Sequence, residues 1–398
     1  MALPPDFTLL QVVPELETGG AEQTTLDVAR AVIQAGGKAL VATRGGRMTA
    51  RLEADGARLA QMPVQTKNPL VMLGNAARLA DLIRREKVSL VHARSRAPAF
   101  AALWAAQATK TPFVATYHGV YKAKSDLKRW YNAIMTRGDL VIANSDYTRE
   151  HVLAEHGLNP DKVISIPRGI DLDRFNPSWV TADRIESLRR SWGVAADDRR
   201  TKFLLAGRLT RIKGHLTIIE AAAQMKAAGH SGFLVLFTGD DQGRTGYGEE
   251  LVKAIAEAGL TDQIRITGHC DDMPAAYLVA DVAILPTIVP ESFGRAAVEP
   301  QVMGRPVIAS NHGGTVETVV DGVTGWLAEP GDPGAWAAAM TRAMELGPGK
   351  RLEMGLAGMN RTRQLYRVDA MCAATLGAYE QVLDARRAGK AHLRKEGG

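Results

Sequence analysis

Cysteine is nearly absent: the 398 residues hold two, Cys270 and Cys372, far apart and in no metal-ligand spacing. That argues against a disulfide frame and a structural zinc site, and for a reducing compartment. Long apolar runs are missing too. The longest, Ala97 to Ala106, is too short to span a bilayer and reads as a buried helix. No signal peptide shows at the start, where Met1 to Thr8 carries Asp6 and no basic stretch. The chain is therefore expected to stay in the cytoplasm. Neither internal repeats nor low-complexity segments interrupt it. The dinucleotide fingerprint G-x-G-x-x-G is absent after the first predicted strand, which disfavours a nicotinamide or flavin enzyme.

What is present is an ordinary globular composition, 46% hydrophobic and 23% charged, in a chain long enough for two domains with their own cores. The net charge of +6 is unevenly placed: residues 1–185 hold 24 Lys and Arg against 18 Asp and Glu, and residues 186–398 hold 25 of each. A basic first half suits an acidic acceptor, an anionic lipid or nucleic acid, or it is a solvated face with no partner.

Short apolar runs alternate with helical patterns. Thr8–Val13, Ala39–Thr43, Arg58–Gln61, Ser89–His92, Phe113–Thr116, Leu140–Ala143 and Val163–Ile166 read as strands. So do Lys202–Ala206, Phe233–Phe237, a run before Arg265, Val282–Leu285, Pro306–Ser310 and Thr324–Ala328. The alternation predicts an α/β protein with doubly wound parallel sheets, which bind ligands at the carboxyl ends of their strands.

The densest chemistry lies between residues 282 and 314. Glu291-Ser292-Phe293-Gly294 is expected to open a helix, with Ser292 as its N-cap and Gly294 allowing a ligand close to the backbone. Free N–H groups at such a start make an anion site. Glu291 and Glu299 flank it with seven residues between them. Acids beside phosphates repel them, so these two suit neutral hydroxyls, one of a sugar and one of a ribose. Gly313-Gly314 opens another helix towards the same edge. Upstream, Gly207-Arg208 and Lys213-Gly214 bound a turn whose two cations, five residues apart, can converge on one pyrophosphate. Cations rather than a carboxylate cluster are offered for that group, so neither a metal nor another cofactor is expected.

In the first half, Arg94 and Arg96 follow one strand, where an anionic acceptor could reach them. His118-Gly119 follows another, and Ser145 reads as a helix N-cap. The run from Lys122 through Lys124, Lys128 and Arg129 to Trp130 and Tyr131 mixes cations with rings. It fits a membrane surface, an anionic acceptor or a solvated helix start.

Together, the Glu-x7-Glu element, its neighbours Pro290 and Ser292-Phe293-Gly294, the following Gly304-Arg305-Pro306-Val307-Ile308-Ala309 and the Arg208–Lys213 pair resemble glycosyltransferase family 4. The resemblance covers nearly the whole chain. It implies the GT-B fold, two Rossmann-like domains facing a central cleft. Residues 1–180 would form the acceptor domain, joined by a C-terminal helix at about 368–390, and residues 181–367 the nucleotide-sugar domain. It implies transfer of a hexose-type sugar, with retention, from a nucleotide-diphosphate sugar to a saccharide or lipid-linked acceptor. Envelope polysaccharide or lipopolysaccharide synthesis, with peripheral contact to an anionic membrane, is the expected setting.

The resemblance also assigns roles. Arg208 and Lys213, with the backbone at Gly207 and at Ser292, Phe293 and Gly294, would hold the pyrophosphate. Glu299 would take the ribose and Glu291 a donor-sugar hydroxyl. Gly239, Gly268 and His269 would line the nucleotide, Gly19 and Gly20 would face the cleft near the phosphates, and His118 would lie beside the transferred sugar. Arg94, Arg96, Lys122 and Lys124 are the acceptor candidates. The sequence departs from the family's pattern at Arg168, where relatives often carry Asn. A nucleotide-sugar epimerase or phosphorylase of the same fold is one alternative, and a non-catalytic basic binding protein another. Nucleic acid is not expected, since no recognised binding motif is present.

Overall fold

The computed structural model describes residues 3–17, 19–121, 123–241, 243 and 245–396, with residues 245 and 389–396 described by backbone alone. The chain divides into two compact units, Met1–Gly169 with Val368–Gly398, and Ile170–Arg367.

The first unit is built on a parallel sheet of seven strands: β1 Thr8–Val12, β2 Lys38–Thr43, β3 Arg58–Gln61, β4 Leu90–Ala93, β5 Phe113–Tyr117, β6 Leu140–Ala143 and β7 Val163–Ser165. Their order is β3-β2-β1-β4-β5-β6-β7. Both faces are covered, which is why the strands read as nearly continuous apolar runs. Successive side chains point to opposite faces. Leu10, Val91 and Ala115 meet Leu79, Ile83 and Leu103 on one side. Leu9, Leu90 and Val114 meet Leu26, Val32, Leu376 and Tyr379 on the other.

The second unit holds β8 Thr201–Ala206, β9 Phe233–Thr238, β10 Ile264–Gly268, β11 Val282–Leu285, β12 Val307–Ser310 and β13 Gly325–Ala328, in the order β10-β9-β8-β11-β12-β13. Phe203, Val235 and Phe237 pack against Ile218 and Trp336. Leu204, Leu234 and Leu236 pack against Tyr277, Val298 and Val302 on the other face. Strand order reverses between β1 and β4 in one sheet and between β8 and β11 in the other. At such a point neighbouring loops leave in opposite directions and open a crevice above the carboxyl ends.

Three expectations are corrected. The boundary falls at Gly169 rather than 180, because Ile170 and Phe175 are buried with Trp192 and Val194 in the second core. The apolar side chains before Pro177 bury with the second sheet. Arg265 to Gly268 form part of β10 rather than following a strand. The last helix runs Val368–Glu396, past its expected end near residue 390.

That helix completes the first unit. The Tyr379 hydroxyl lies 2.6 Å from His92 Nδ1, and His92 Nε2 lies 2.7 Å from Thr116 Oγ1, all buried. Burial, with lesser contributions from Arg94 and His118, holds the His92 imidazole well below its usual pKa, so it stays neutral. Nearer the surface, Arg386 makes a two-pronged contact with Asp139 at 2.6 and 3.0 Å. Tyr379→Phe leaves a buried ring nitrogen without its partner, and is expected to lower stability in urea unfolding by about 1–3 kcal/mol. Arg386→Ala, at an exposed pair, is expected to cost under about 1 kcal/mol in the same measurement.

Candidate active site

Glycines end three neighbouring strands of the second sheet. Gly207 N–H donates to Thr238 O at 2.9 Å, and Gly239 N–H to Gly268 O at 2.8 Å, which aligns the ends of β8, β9 and β10. At Gly239, with φ +152°, a Cβ would fall 2.0 Å from Gly207 O, so no larger residue fits. Past these ends His269 Nε2 lies 2.9 Å from Asp271 and Nδ1 lies 3.6 Å from Asp240, on an exposed rim.

The switch point between β8 and β11 carries the polar centre. The chain leaving β8 makes one short turn, Arg211–Lys213, and reverses at Gly214, whose φ is +76°. A Cβ there would lie 1.8 Å from Pro286 O, on the chain leaving β11. Ile288 N–H donates to Ile212 O at 3.0 Å and ties the same two loops. Their closeness sets the side chains: Lys213 runs back past Gly207, and its Nζ meets Glu291 Oε1 at 2.5 Å. Both side chains are mostly covered, at 16% and 28% exposure. Arg208 is exposed at the end of β8.

Glu291 is gripped through its backbone. Gly314 N–H donates to Glu291 O at 2.7 Å, and a Cβ on Gly313 would come within 2.5 Å of that oxygen. The helix following it begins at Arg295, not at Ser292. Gly294, left-handed at φ 82°, is its N-cap and has no side chain to serve as cap, so Ser292 and Phe293 lie in the loop before it. Glu299 is accordingly a little over one turn into the helix. Its Oε1 accepts from Arg295 Nη2 at 2.8 Å, and its Oε2 from the Tyr277 hydroxyl at 3.0 Å. Each oxygen keeps a further lone pair for a ligand hydroxyl. Tyr277 is buried, and its hydroxyl pKa is raised first by burial and then by Glu299, so it stays a donor. Sequence reasoning missed both partners. The four-residue spacing of Arg295 and Glu299 was a usable signal; nothing local marked Tyr277.

In the first unit, Gly20 opens the helix Gly20–Gln34 and Gly19 precedes it in extended backbone. His118 follows β5, and its Nδ1 lies 3.0 Å from Arg168 Nη2. Burial, then Arg168 and Arg94, push the His118 pKa well down. Arg94 is buried at 2% exposure, with Nε and Nη2 both on Gln11 Oε1, the former at 2.9 Å. Arg96 donates to Asn132 Oδ1 at 2.7 Å and lies 3.7 Å over the Tyr121 ring. Arg94 thus ties the ends of β4 and β1, and Arg96 ties the start of its helix to Asn132 and Tyr121, internal contacts at positions where an acceptor was expected. Ser145 caps its helix, accepting from Thr148 N–H at 3.0 Å. Lys124 is exposed, and Lys122 lies outside the described residues. Among the described residues no group of three or more His, Cys, Asp or Glu is placed to hold a metal ion. Among them, too, no helix is long and apolar enough to cross a membrane.

Known proteins resemble this chain in sequence and in fold. Residues 18–174 match the family model described as Glycosyltransferase Family 4, and residues 188–361 the one described as Glycosyl transferases group 1. A glycosyltransferase from Rickettsia africae is 32% identical, covers 95% of this chain and 99% of its own, and superposes with a TM-score of 0.87. HepE of Anabaena, solved with UDP, shares the fold at 23% identity, 94% and 100% coverage and a TM-score of 0.81. A D-inositol 3-phosphate glycosyltransferase from Geodermatophilus obscurus is 34% identical over 260 residues, 63% of this chain and 55% of its own length. The matched stretch thus spans little more than half of that relative.

The glycine contacts yield a stability test. Gly214→Ala forces a Cβ against Pro286 O at positive φ and is expected to cost about 1–3 kcal/mol or more in chemical unfolding. Gly207→Ala meets nothing nearer than Lys213 Cε at 3.6 Å, and should stay within about 1 kcal/mol of the parent.

Proposed function

Because the chain belongs to glycosyltransferase family 4 and has its GT-B architecture, we propose that it transfers a hexose-type sugar, with retention, from a nucleotide-diphosphate donor. The observation that carries this reading is the Lys213–Glu291 pair at the β8/β11 switch point. A pyrophosphate arriving there exchanges one anionic partner of Lys213 for a stronger one, with Arg208 able to share the charge. Glu291, released, becomes an acceptor for a hydroxyl of the donor sugar, and Glu299 for the ribose. As the glycosidic bond breaks, negative charge grows on the leaving phosphate, and the cations stabilise it most at that moment. That phosphate oxygen then serves as base for the acceptor hydroxyl. His118 is assigned to the transferred sugar. Retention and the hexose follow from the family reading.

The donor is tested by thermal-shift screening with UDP-, GDP- and ADP-sugars, UDP-sugars first since HepE was solved with UDP, followed by analysis of product and anomer. In buffer with excess chelator, Lys213→Ala and Arg208→Ala are each expected to lower turnover about a hundredfold or more. Near-normal turnover in either would remove that residue from the clamp. A requirement for Mg²⁺ or Mn²⁺ would show that the cations do not suffice. A new nucleotide sugar formed without acceptor would mark an epimerase.

For the acceptor, the helix Asp126–Asn132 is the guide. Leu127 and Trp130, 77% and 51% exposed, lie three residues apart, so they share a face beside Lys124 and Lys128. Exposed apolar side chains bordered by lysines suit a lipid headgroup boundary. We therefore propose a lipid-linked or acidic saccharide acceptor, as in envelope polysaccharide or lipopolysaccharide synthesis, met at an anionic membrane surface. Each lysine contributes about 1 kcal/mol there. The triple variant Leu127→Gln, Lys124→Glu, Lys128→Glu should lose sedimentation with anionic vesicles at low salt while donor hydrolysis is unchanged. If the parent ignores such vesicles but glycosylates inositol 3-phosphate, the acceptor is a soluble phosphorylated polyol, as the name of the Geodermatophilus relative suggests.

A further inference from the structure

Arg168 follows β7 and His118 follows β5, so the contact between them bridges the carboxyl end of β6. A guanidinium carries five N–H donors, offers no acceptor and does not lose its proton in proteins. The imidazole nitrogen facing Arg168 Nη2 at 3.0 Å must therefore present a lone pair. In a neutral ring the proton then sits on Nε2, and the ring has one donor, Nε2–H. An imidazolium has no lone pair to give, so the same contact opposes protonation.

Resting on the reading above that His118 serves the transfer, we propose that Arg168 is a positioning residue that fixes His118 as the neutral Nε2–H tautomer, a permanent hydrogen-bond donor towards a substrate oxygen. In that state the ring cannot act as the proton acceptor: Nε2 already carries hydrogen and Nδ1 is committed to Arg168. The base is left to the departing phosphate. Burial, then the charges of Arg168 and Arg94, favour the neutral ring. The other titratable groups that couple to it are buried His92 and the Tyr121 hydroxyl, which hydrogen-bonds the His118 backbone. An Asn in place of Arg168 would carry both donor and acceptor atoms and would impose no tautomer.

The test reads the tautomer and the chemistry separately. ¹⁵N-histidine NMR of the full chain without substrate should show His118 as Nε2–H in the parent and in Arg168→Lys, which keeps a donor. Arg168→Leu should give a tautomer mixture. A parent ring found as Nδ1–H or as imidazolium at neutral pH would overturn the proposal whatever the activity. In turnover, His118→Gln, whose amide N–H reaches about as far as Nε2, should keep kcat/KM within about tenfold, and His118→Asn should lose about a hundredfold. Arg168→Leu should lose about tenfold, restored in Arg168→Lys. Equal losses in the Gln and Asn variants would overturn the donor role. Normal turnover in both would leave the tautomer lock standing and remove His118 from the transfer.

Discussion

The second unit depends on one ion pair between loops that sequence keeps 78 residues apart, Lys213 to Glu291. The pair forms because glycine alone lets the backbones approach: Gly214 against Pro286 O on one side and Gly313 against Glu291 O on the other. A mostly covered ammonium and carboxylate attract each other more strongly than the same pair in bulk water would. A ligand with two phosphates competes for the ammonium with more charge than one carboxylate carries. On the proposed reading, displacing Glu291 would free it for a hydroxyl, so phosphate recognition and sugar recognition would be coupled through one contact rather than added side by side.

The first unit uses its polar side chains differently. Gln11, His92, Arg94 and Thr116 are all buried and sit at or beside the carboxyl ends of β1, β4 and β5. They bond to one another or to Tyr379 from the returning helix. A buried guanidinium held by an amide has less electrostatic compensation than one held by a carboxylate, and its pKa is lowered by burial accordingly. Such a network orients neighbouring strand ends. It also places a fixed positive charge near His118, which adds to the effect of Arg168 on that ring.

What the sequence made legible follows from what is local. Nearly continuous apolar runs located every strand but β10 to within a residue or two, because both faces of each sheet are covered. Glu-x7-Glu and Arg208–Lys213 were legible because each lies within one loop-to-helix segment. The start of the helix at Arg295 was not, since Ser292 has the chemistry of a cap while the chain enters the helix through Gly294 in left-handed backbone. Nor was the burial of Arg94, for a cation at a strand end reads the same whether it meets a ligand or Gln11. Tyr277 and the Arg168–His118 contact depend on chain segments 22 and 50 residues away. Only the fold brings them together.

Charge shows the same separation between bulk and local effects. The first unit carries 27 Lys and Arg against 19 Asp and Glu, and the second 22 against 24. The unit assigned to the anionic donor is thus slightly negative overall, so on the proposed reading its attraction for phosphate would be local, from Arg208, Lys213 and nearby backbone N–H groups acting within a Debye length of about 10 Å. The surplus of the first unit cannot be read as a single anion site either. Arg94 and Arg96 are bound internally, and Arg129 is paired with Asp126 and Glu155 at 2.8 and 3.3 Å. Lys124 and Lys128 are exposed in the same short stretch as Leu127 and Trp130. A spread of lysines around apolar side chains suits an extended anionic surface better than a single point charge.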